Sequence, residues 1–195
     1  MKNNYGSLTI DFCKNLDMYI QIMLQDKKIW QSLDINYHAP RVERLWAPLY
    51  LNNKKIRVHL HVIHPTTEKC LFHKHKWPAV IHQIRGTYKM GLTDSQEEID
   101  STNAHNLPVL ASFIVGQGSW YEMRQTDTLH FVKPTKLPSY SIMFTVEDEL
   151  FPEANLRREN TGEYHLEALT EEREDEIRNL FIGFLDTTKL YEKAT

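Results

Sequence analysis

The alternation of apolar and polar residues divides the chain into a helical beginning, a long middle of short strands and a helical end. Phe12, Leu16, Tyr19, Ile20 and Met23 recur at helical spacing, which predicts a helix from Leu8 to about Leu24. A second short helical piece is expected around Ile29, Trp30 and Leu33. The Ala39-Pro40 and Ala47-Pro48 steps then break helical geometry, because a residue before proline is pushed toward an extended conformation.

From Trp46 to Phe144 the pattern is that of strands. Leu49-Tyr50-Leu51, the Asn52-Asn53 turn and Ile56 to Ile63 read as a hairpin. In its second arm Val58, Leu60 and Val62 share one face, and Arg57, His59 and His61 share the other. That second face is either solvated or lines a polar interior. Leu71 to His75 and Ala79 to Tyr88 are the next expected strands, with Gly86 turning the chain back. Residues 94–107 read as a loop. Val109 to Val115 is an apolar strand, ended by Gly116-Gln117-Gly118. Trp120 to Met123 and Leu129 to Val132 are expected to face each other, and Tyr140 to Val146 closes the set. Many short strands with turn residues between them predict a sandwich or barrel.

Residues 147–164 are charged and rich in turn formers. A helix follows, with Thr170 as its N-cap and Glu171, Glu172, Glu174 and Asp175 at the positive end of its dipole. Ile177, Leu180, Phe181, Phe184 and Leu185 form its apolar stripe and are expected to bury against the barrel. The organisation is one domain over residues 1–195: a helical segment to 40, a barrel over 46–150 and an extension with a helix over 151–195. The segment before Trp46 is expected to cover a sheet edge, in its own chain or in a homodimer.

Composition narrows the function classes. The chain has 195 residues, of which 41% are hydrophobic and 25% charged, and a formal net charge of -3. That balance argues against nucleic acid or a membrane surface as a partner held by bulk charge, and no apolar run reaches transmembrane length. Cys13 and Cys70 are far apart and in no metal or redox spacing, which reads as free thiols in a reducing cytoplasm. No Gly-rich phosphate loop is present.

The chemistry concentrates in the histidines. Eight of the ten fall between His59 and His130. Residues two apart on an extended chain point the same way, so His73 and His75 can aim two imidazoles at one point. His130, opening a strand just after a turn, is the best source of a third. Neutral imidazole is a common ligand for divalent transition metals. The alternative is three ordinary strand histidines. Strict alternation from Ala79 sends Ile81 and Gln83 inward and His82 outward, whereas a bulge at Pro78-Ala79 would reverse this. Glu122 is either a fourth ligand, a general base or a surface group. Arg85 could grip a substrate carboxylate. Trp77, Tyr88 and Trp120 could wall a pocket, or be plain core.

The pattern at His73-x-His75, Gly86 and His130 resembles the cupin superfamily. The first motif of that family is His-x-His, three or four residues, Glu, six residues, Gly. Here Ala79 stands where the glutamate is usual. In the second motif the interval from Gly118 to His130 is one residue longer than the family's, and Gln125 and Asp127 replace its Pro and Gly. The phrase Phe-His-Lys-His-Lys-Trp-Pro-Ala also looks like a group of small cupins with Trp-Pro after the histidine pair. The resemblance implies a mainly β, cupin-type jelly-roll barrel with helical appendages at both ends, and a metal centre of His73, His75 and His130. Lacking the carboxylate, the site is similar to that of the thiol dioxygenases, which hold ferrous iron with three histidines. The implied function is a mononuclear iron dioxygenase acting on a small polar metabolite. Glu122, Gln83 and Arg85 would act in catalysis, and His82, Trp77, Tyr88 and Trp120 would bind substrate. Zinc, nickel or manganese are alternatives to iron. A metal-dependent isomerase or lyase, or a non-catalytic ligand-binding cupin, are alternatives to the dioxygenase.

Overall fold

Strand β3, Lys54–Ile63, lies inside a six-stranded antiparallel sheet whose order is β1-β2-β3-β9-β4-β7. A computed structural model describes residues 8–51, 54–75, 77–94, 104, 106–124, 128–146 and 167–186. The Asn52-Asn53 turn, most of the 94–107 loop with His105, Gln125 and Asp127, and the 147–164 stretch with His165 lie outside these residues. The other strands of the large sheet are β1 (Gln31–Ile35), β2 (Val42–Leu51), β4 (Ala79–Arg85), β7 (Trp120–Met123) and β9 (Ser139–Val146). A second sheet has the order β6-β5-β8, from Ala111–Val115, Tyr88–Thr93 and Leu129–Lys133. All pairings within both sheets are antiparallel.

Alternation along each strand gives the large sheet two faces of different character. One face carries Leu45, Ala47 and Leu49 of β2, Val58, Leu60 and Val62 of β3, Val80 of β4, and Ile142 and Phe144 of β9. These pack against the helices in the main apolar core. The helices are α1 (Ile10–Cys13), α2 (Asp17–Gln25) and α3 (Glu171–Leu185), which contribute Cys13, Ile20, Leu24, Ile177, Phe181 and Leu185. The opposite face looks toward the small sheet. Ile63 and Val42 of the large sheet meet Tyr88, Met90 and Val115 of the small one. The Tyr88 and Tyr121 hydroxyls, 2.7 Å apart, join the two sheets across the interior. The fold is thus mainly β, two facing antiparallel sheets with helices at both ends of the chain.

Several elements depart from their expected limits, each for a local reason. The first helix is two. Asn15 and Leu16 bond back three residues, to Phe12 and Cys13, which tightens the chain between α1 and α2. Both pieces still bury their apolar side, with Cys13, Leu16, Ile20 and Leu24 at 0–1% exposure. The second helical piece is only a single 3-10 turn, Lys27–Ile29, and Leu33 lies on β1. That strand pairs with β2 of its own chain, so the segment before Trp46 covers a sheet edge internally. Strand β2 begins at Val42 and runs through Pro48. This is tolerated because β1 pairs only as far as Trp46, leaving β2 one neighbour at Pro48.

Residues 71–75 form no strand, and their backbone pairs with β8 through a single bridge at His73. The run expected from Ala79 to Tyr88 ends at Arg85. Gly86, at φ +78°, turns the chain out of the large sheet, and Tyr88 opens a strand of the small one. A Cβ at Gly86 would stand 2.8 Å from the Pro138 carbonyl oxygen, so the position excludes a side chain by space as well as by backbone angle. Strands β7 and β8 do not face each other as partners. The first pairs with β4 and the second with β5, so the chain crosses between sheets from one to the other.

The C-terminal helix is as predicted at its start. The Thr170 side chain accepts the Arg173 backbone N–H. Ile177 and Phe181 are fully buried and Phe184 packs partly against the core, but Leu180 is on the exposed side. The buried cation Arg178 takes an inward position instead, donating to the Leu24 carbonyl oxygen at 3.0 Å and pairing with Asp175. Among the described residues no helix is long and apolar enough to cross a membrane.

Candidate metal centre

His73 and His130 exchange both backbone hydrogen bonds, each at 2.9 Å. This lone antiparallel bridge puts the two residues directly opposite each other. His130 sits on β8 opposite Leu92, on the interior face of the small sheet. The neighbouring residues hold the bridge in place from outside: Phe72 and Phe131 meet edge to face with ring centroids 5.0 Å apart, in a cluster with Cys70 and Leu129. His75 follows two residues later and returns its ring to the same point. The ring centroids lie 4.4 Å apart for His73 and His130, 4.8 Å for His75 and His130, and 5.8 Å for His73 and His75.

One nitrogen from each ring lies within 4.8 Å of the others, the separation at which three imidazoles can share an ion. No carboxylate joins this cluster among the described residues. The His73 Nδ1 lies 3.3 Å from the Leu71 carbonyl oxygen, which can only accept. His73 therefore carries its proton on Nδ1 and leaves Nε2 as an acceptor or ligand. The Nδ1 atoms of His75 and His130 are buried without a hydrogen-bond partner among the described residues. Burial lowers His73 to about 4 and His75 to about 3, and pushes His130 well below the usual histidine value. In His73 the bond to Leu71 opposes this fall, while the charges of His38 and Arg44 add to it. All three rings are thus neutral at physiological pH, the form that binds metals. Three neutral imidazoles, His130 buried and His73 and His75 half-buried, converging with unsatisfied nitrogens fit a divalent transition ion better than they fit a packed apolar core.

The remaining predicted site residues divide between the two sides of the large sheet. Gln83 faces inward and is completely buried. Its Nε2 donates to the carbonyl oxygens of Arg85 and Gly86, which braces the irregular register between β4 and β9, and its Oε1 is buried without a partner among the described residues. Tyr88 also faces inward. It sits four residues along β5 from Leu92, about 13 Å at a strand's rise, and bonds Tyr121. Trp77 follows His75 by two residues, with its indole nitrogen buried and unpartnered among the described residues.

Four expectations are corrected. His82 lies on the helix side, stacked on Trp120 with ring centroids 3.9 Å apart, because the alternation from Ala79 is unbroken as far as Gln83. Trp120 is on that side too, stacked toward Phe144 of the main core. Glu122 pairs with Val80 on the same face and accepts the Ile10 backbone N–H at 2.9 Å, so it caps α1 and does not meet the histidines. Arg85 is exposed, its guanidinium 5.4 Å over the Phe184 ring.

The strands supply other polar groups that the spacing of motifs did not single out. Arg44, His59 and His61 share the interior face of the large sheet, since Arg44 pairs with His61 and Trp46 with His59. The exposure of His59 is 2% and of His61 8%, so the solvated-face reading is overturned in favour of a polar interior. Alternation on β3 put both on one side. The signal that the side was covered lay in β2, whose early start at Val42 adds Arg44 to the same wall.

No protein-family model and no curated protein matches the sequence. Among solved structures, hydroxypropylphosphonic acid epoxidase from S. wedmorenis is similar at a TM-score of 0.42 and 10% identity, over 62% of this chain and 57% of that one. The likeness thus spans little more than half of the epoxidase. An RmlC-like cupin from Shewanella frigidimarina NCIMB 400 scores 0.40 at 12% identity, over 64% of this chain and 89% of that one. KdgF from Halomonas sp. scores 0.40 at 11% identity, over 62% and 87%. At these scores the chemistry of the site rests on this chain's own residues.

Proposed function

We propose that the chain is a metal-dependent enzyme of cupin type, with His73, His75 and His130 holding one divalent ion, iron(II), and that it oxygenates a small polar metabolite. The observation that carries this reading is the convergence of three neutral imidazoles, one buried and two half-buried, with no carboxylate among them in the described residues. Three neutral ligands leave a bound ion its full charge and open coordination positions, which it would use to bind substrate and dioxygen.

The chain's own residues supply the rest. The Leu71 carbonyl orients the His73 ring and fixes its tautomer. Met143, Ile81, Ala79 and Met123 form an apolar patch that helps exclude water from the interior. Glu122 lies on the opposite side of the sheet from these groups, so the carboxylate that an isomerase or lyase would use for proton transfer is not at the cluster. This favours oxygenation over those alternatives.

Elemental analysis of protein purified without oxygen, followed by an oxygen-consumption screen over small polar metabolites, tests the proposal. One equivalent of iron with substrate-dependent oxygen uptake is the expected result. Protein that takes up no divalent metal on anaerobic reconstitution would overturn it and favour a ligand-binding cupin.

A further inference from the structure

The two sheets end in four edges, and three of them are closed or guarded. Beyond β1 the Asp34 backbone N–H donates to the Glu167 carbonyl oxygen at 2.8 Å, across an isolated bridge. Beyond β8 stands the segment bridged at His73. Strand β7 is four residues long and carries Glu122, which takes the Ile10 backbone N–H. The fourth edge is β6, which pairs with β5 on one side, and no described strand or segment pairs with it on the other.

This open edge has none of the features that keep edge strands apart. An edge offers a row of unpaired N–H and C=O groups to any other strand, and charges within it are a common defence. Residues 107–115 read Leu-Pro-Val-Leu-Ala-Ser-Phe-Ile-Val, without one charge, and Pro108 lies outside the strand. Val109, Leu110, Phe113 and Ile114 are 46–69% exposed, whereas Val115 at the end of the same strand is buried with Ile63, Tyr88 and Met90. Phe113 pairs with Met90 and Ile114 with Lys89, so apolar groups lie open on both faces of the strand. The four side chains leave on the order of 400 Å² of apolar surface open, as much as the largest patch of a typical monomer. Two copies offer about 800 Å² from these side chains, and the paired backbones bring the total near the roughly 1,000 Å² that a specific interface needs.

We infer that β6 is the contact between two copies of this chain. Two β6 strands pair antiparallel about a two-fold axis and join two three-stranded sheets into one of six strands. Such pairing sets each residue opposite itself or a near neighbour, so any charge in the strand would meet its like. A strand with no charge is self-compatible, which is what selects a second copy as the occupant. The chain's own loop leading to β6 is a poorer match. Its residues 95–103 read Ser-Gln-Glu-Glu-Ile-Asp-Ser-Thr-Asn, with one apolar residue to set against four. The inference does not rest on the metal reading.

Sedimentation velocity of the full chain over a dilution series, with hydrogen exchange of the 111–115 amides at each concentration, tests the contact. The expected species has twice the 23.1 kDa of one chain, separates on dilution, and exchanges these amides faster once separated. Ile114→Lys and Ser112→Lys each place a charge opposite its like and should raise the dissociation constant by about a hundredfold or more. Both positions are exposed, and circular dichroism verifies that the variants fold. Ile22→Lys, on α2 at 63% exposure, should leave the dimer intact. Where a lysine variant fails to fold, the dilution and exchange of the wild-type chain decide. Wild type with the mass of one chain at about 1 mM overturns the inference. So does a dimer that both lysine variants leave unchanged, or an open series of larger species. A monomer whose 111–115 amides are protected at every dilution shows the edge covered by the chain itself, and a monomer that floats with phosphatidylcholine vesicles assigns the patch to lipid; either result also overturns it.

Discussion

Arg173 of α3 grips both carboxylate oxygens of Glu43, with Nε 2.9 Å from one and a terminal nitrogen 2.6 Å from the other. His64 Nε2 lies 2.7 Å from the second oxygen, and Arg41 reaches the first at 3.2 Å. The carboxylate is almost completely buried, and it fastens the C-terminal helix to β2 from the side opposite the histidine cluster.

Burial alone would raise the Glu43 carboxyl. Hydrogen bonds and charge from His64 and Arg173 more than offset it and hold the group at about 2, below its ordinary 4.5. A depressed carboxyl contributes stability that is present above the unfolded value and lost as pH falls through the folded one. The protein should therefore lose stability between about pH 4.5 and 2 in a urea titration, and Glu43→Gln should flatten that part of the profile. At neutral pH, Glu43→Gln should cost about 2–3 kcal/mol, less than a fully buried pair because Arg173 keeps partial access to water. A profile for Glu43→Gln that falls as steeply as wild type would show that this carboxylate is not the group titrating.

Along α3 the cost of truncation should follow the buried side and not the apolar stripe. Phe181→Ala removes a fully buried ring and should cost about 3–5 kcal/mol. Leu180→Ala, at 36% exposure, should stay within about 0.5 kcal/mol. Equal urea midpoints for the two variants would contradict the placement of this helix.

Metal uptake separates the histidines from the glutamate. His73→Ala, His75→Ala and His130→Ala should each weaken divalent metal binding severely, since each leaves two of three ligands. Glu122→Gln should keep full metal content and shift only thermal stability, by about 1 kcal/mol, through the lost cap on Ile10. Metal analysis of the four purified variants decides the matter, and metal loss in Glu122→Gln would move that residue back to the site.

Both thiols should be inert in the folded protein. Burial pushes Cys13 up to about 12 and Cys70 to about 11, so almost no thiolate exists at pH 8. Alkylation at that pH should be negligible without denaturant and complete with it. Rapid labelling of Cys70 in the native state would show that segment 70–75 opens away from β8.

What could be read from the residues alone follows the range of the interactions. The pairing of His73 and His75 needs only the two-residue period of an extended chain, and Gly86 and His130 add turn signals, so the cluster was legible although 71–75 is not a full strand. Alternation from Ala79 also sent Gln83 inward and His82 outward, as observed. The faces of Trp120 and Glu122 were not legible, because a four-residue strand does not reveal which partner it will pair with. Arg44 was hidden for a related reason. Proline after Ala47 suggested a boundary, whereas the strand passes through Pro48 once its outer neighbour has ended.

The single strand β3 carries two unrelated instructions on alternate residues, Val58, Leu60 and Val62 for the helix-covered core and Arg57, His59 and His61 for the basic interior wall. Their separation depends on parity alone. Losing or gaining one residue within the strand would send aliphatic side chains into the polar interior and an arginine and two imidazoles into the apolar core at a stroke. The strand therefore tolerates change by exchange of one side chain for another, and not by change of length. Its ten positions form a coupled unit in which single side chains can be exchanged while the spacing cannot change.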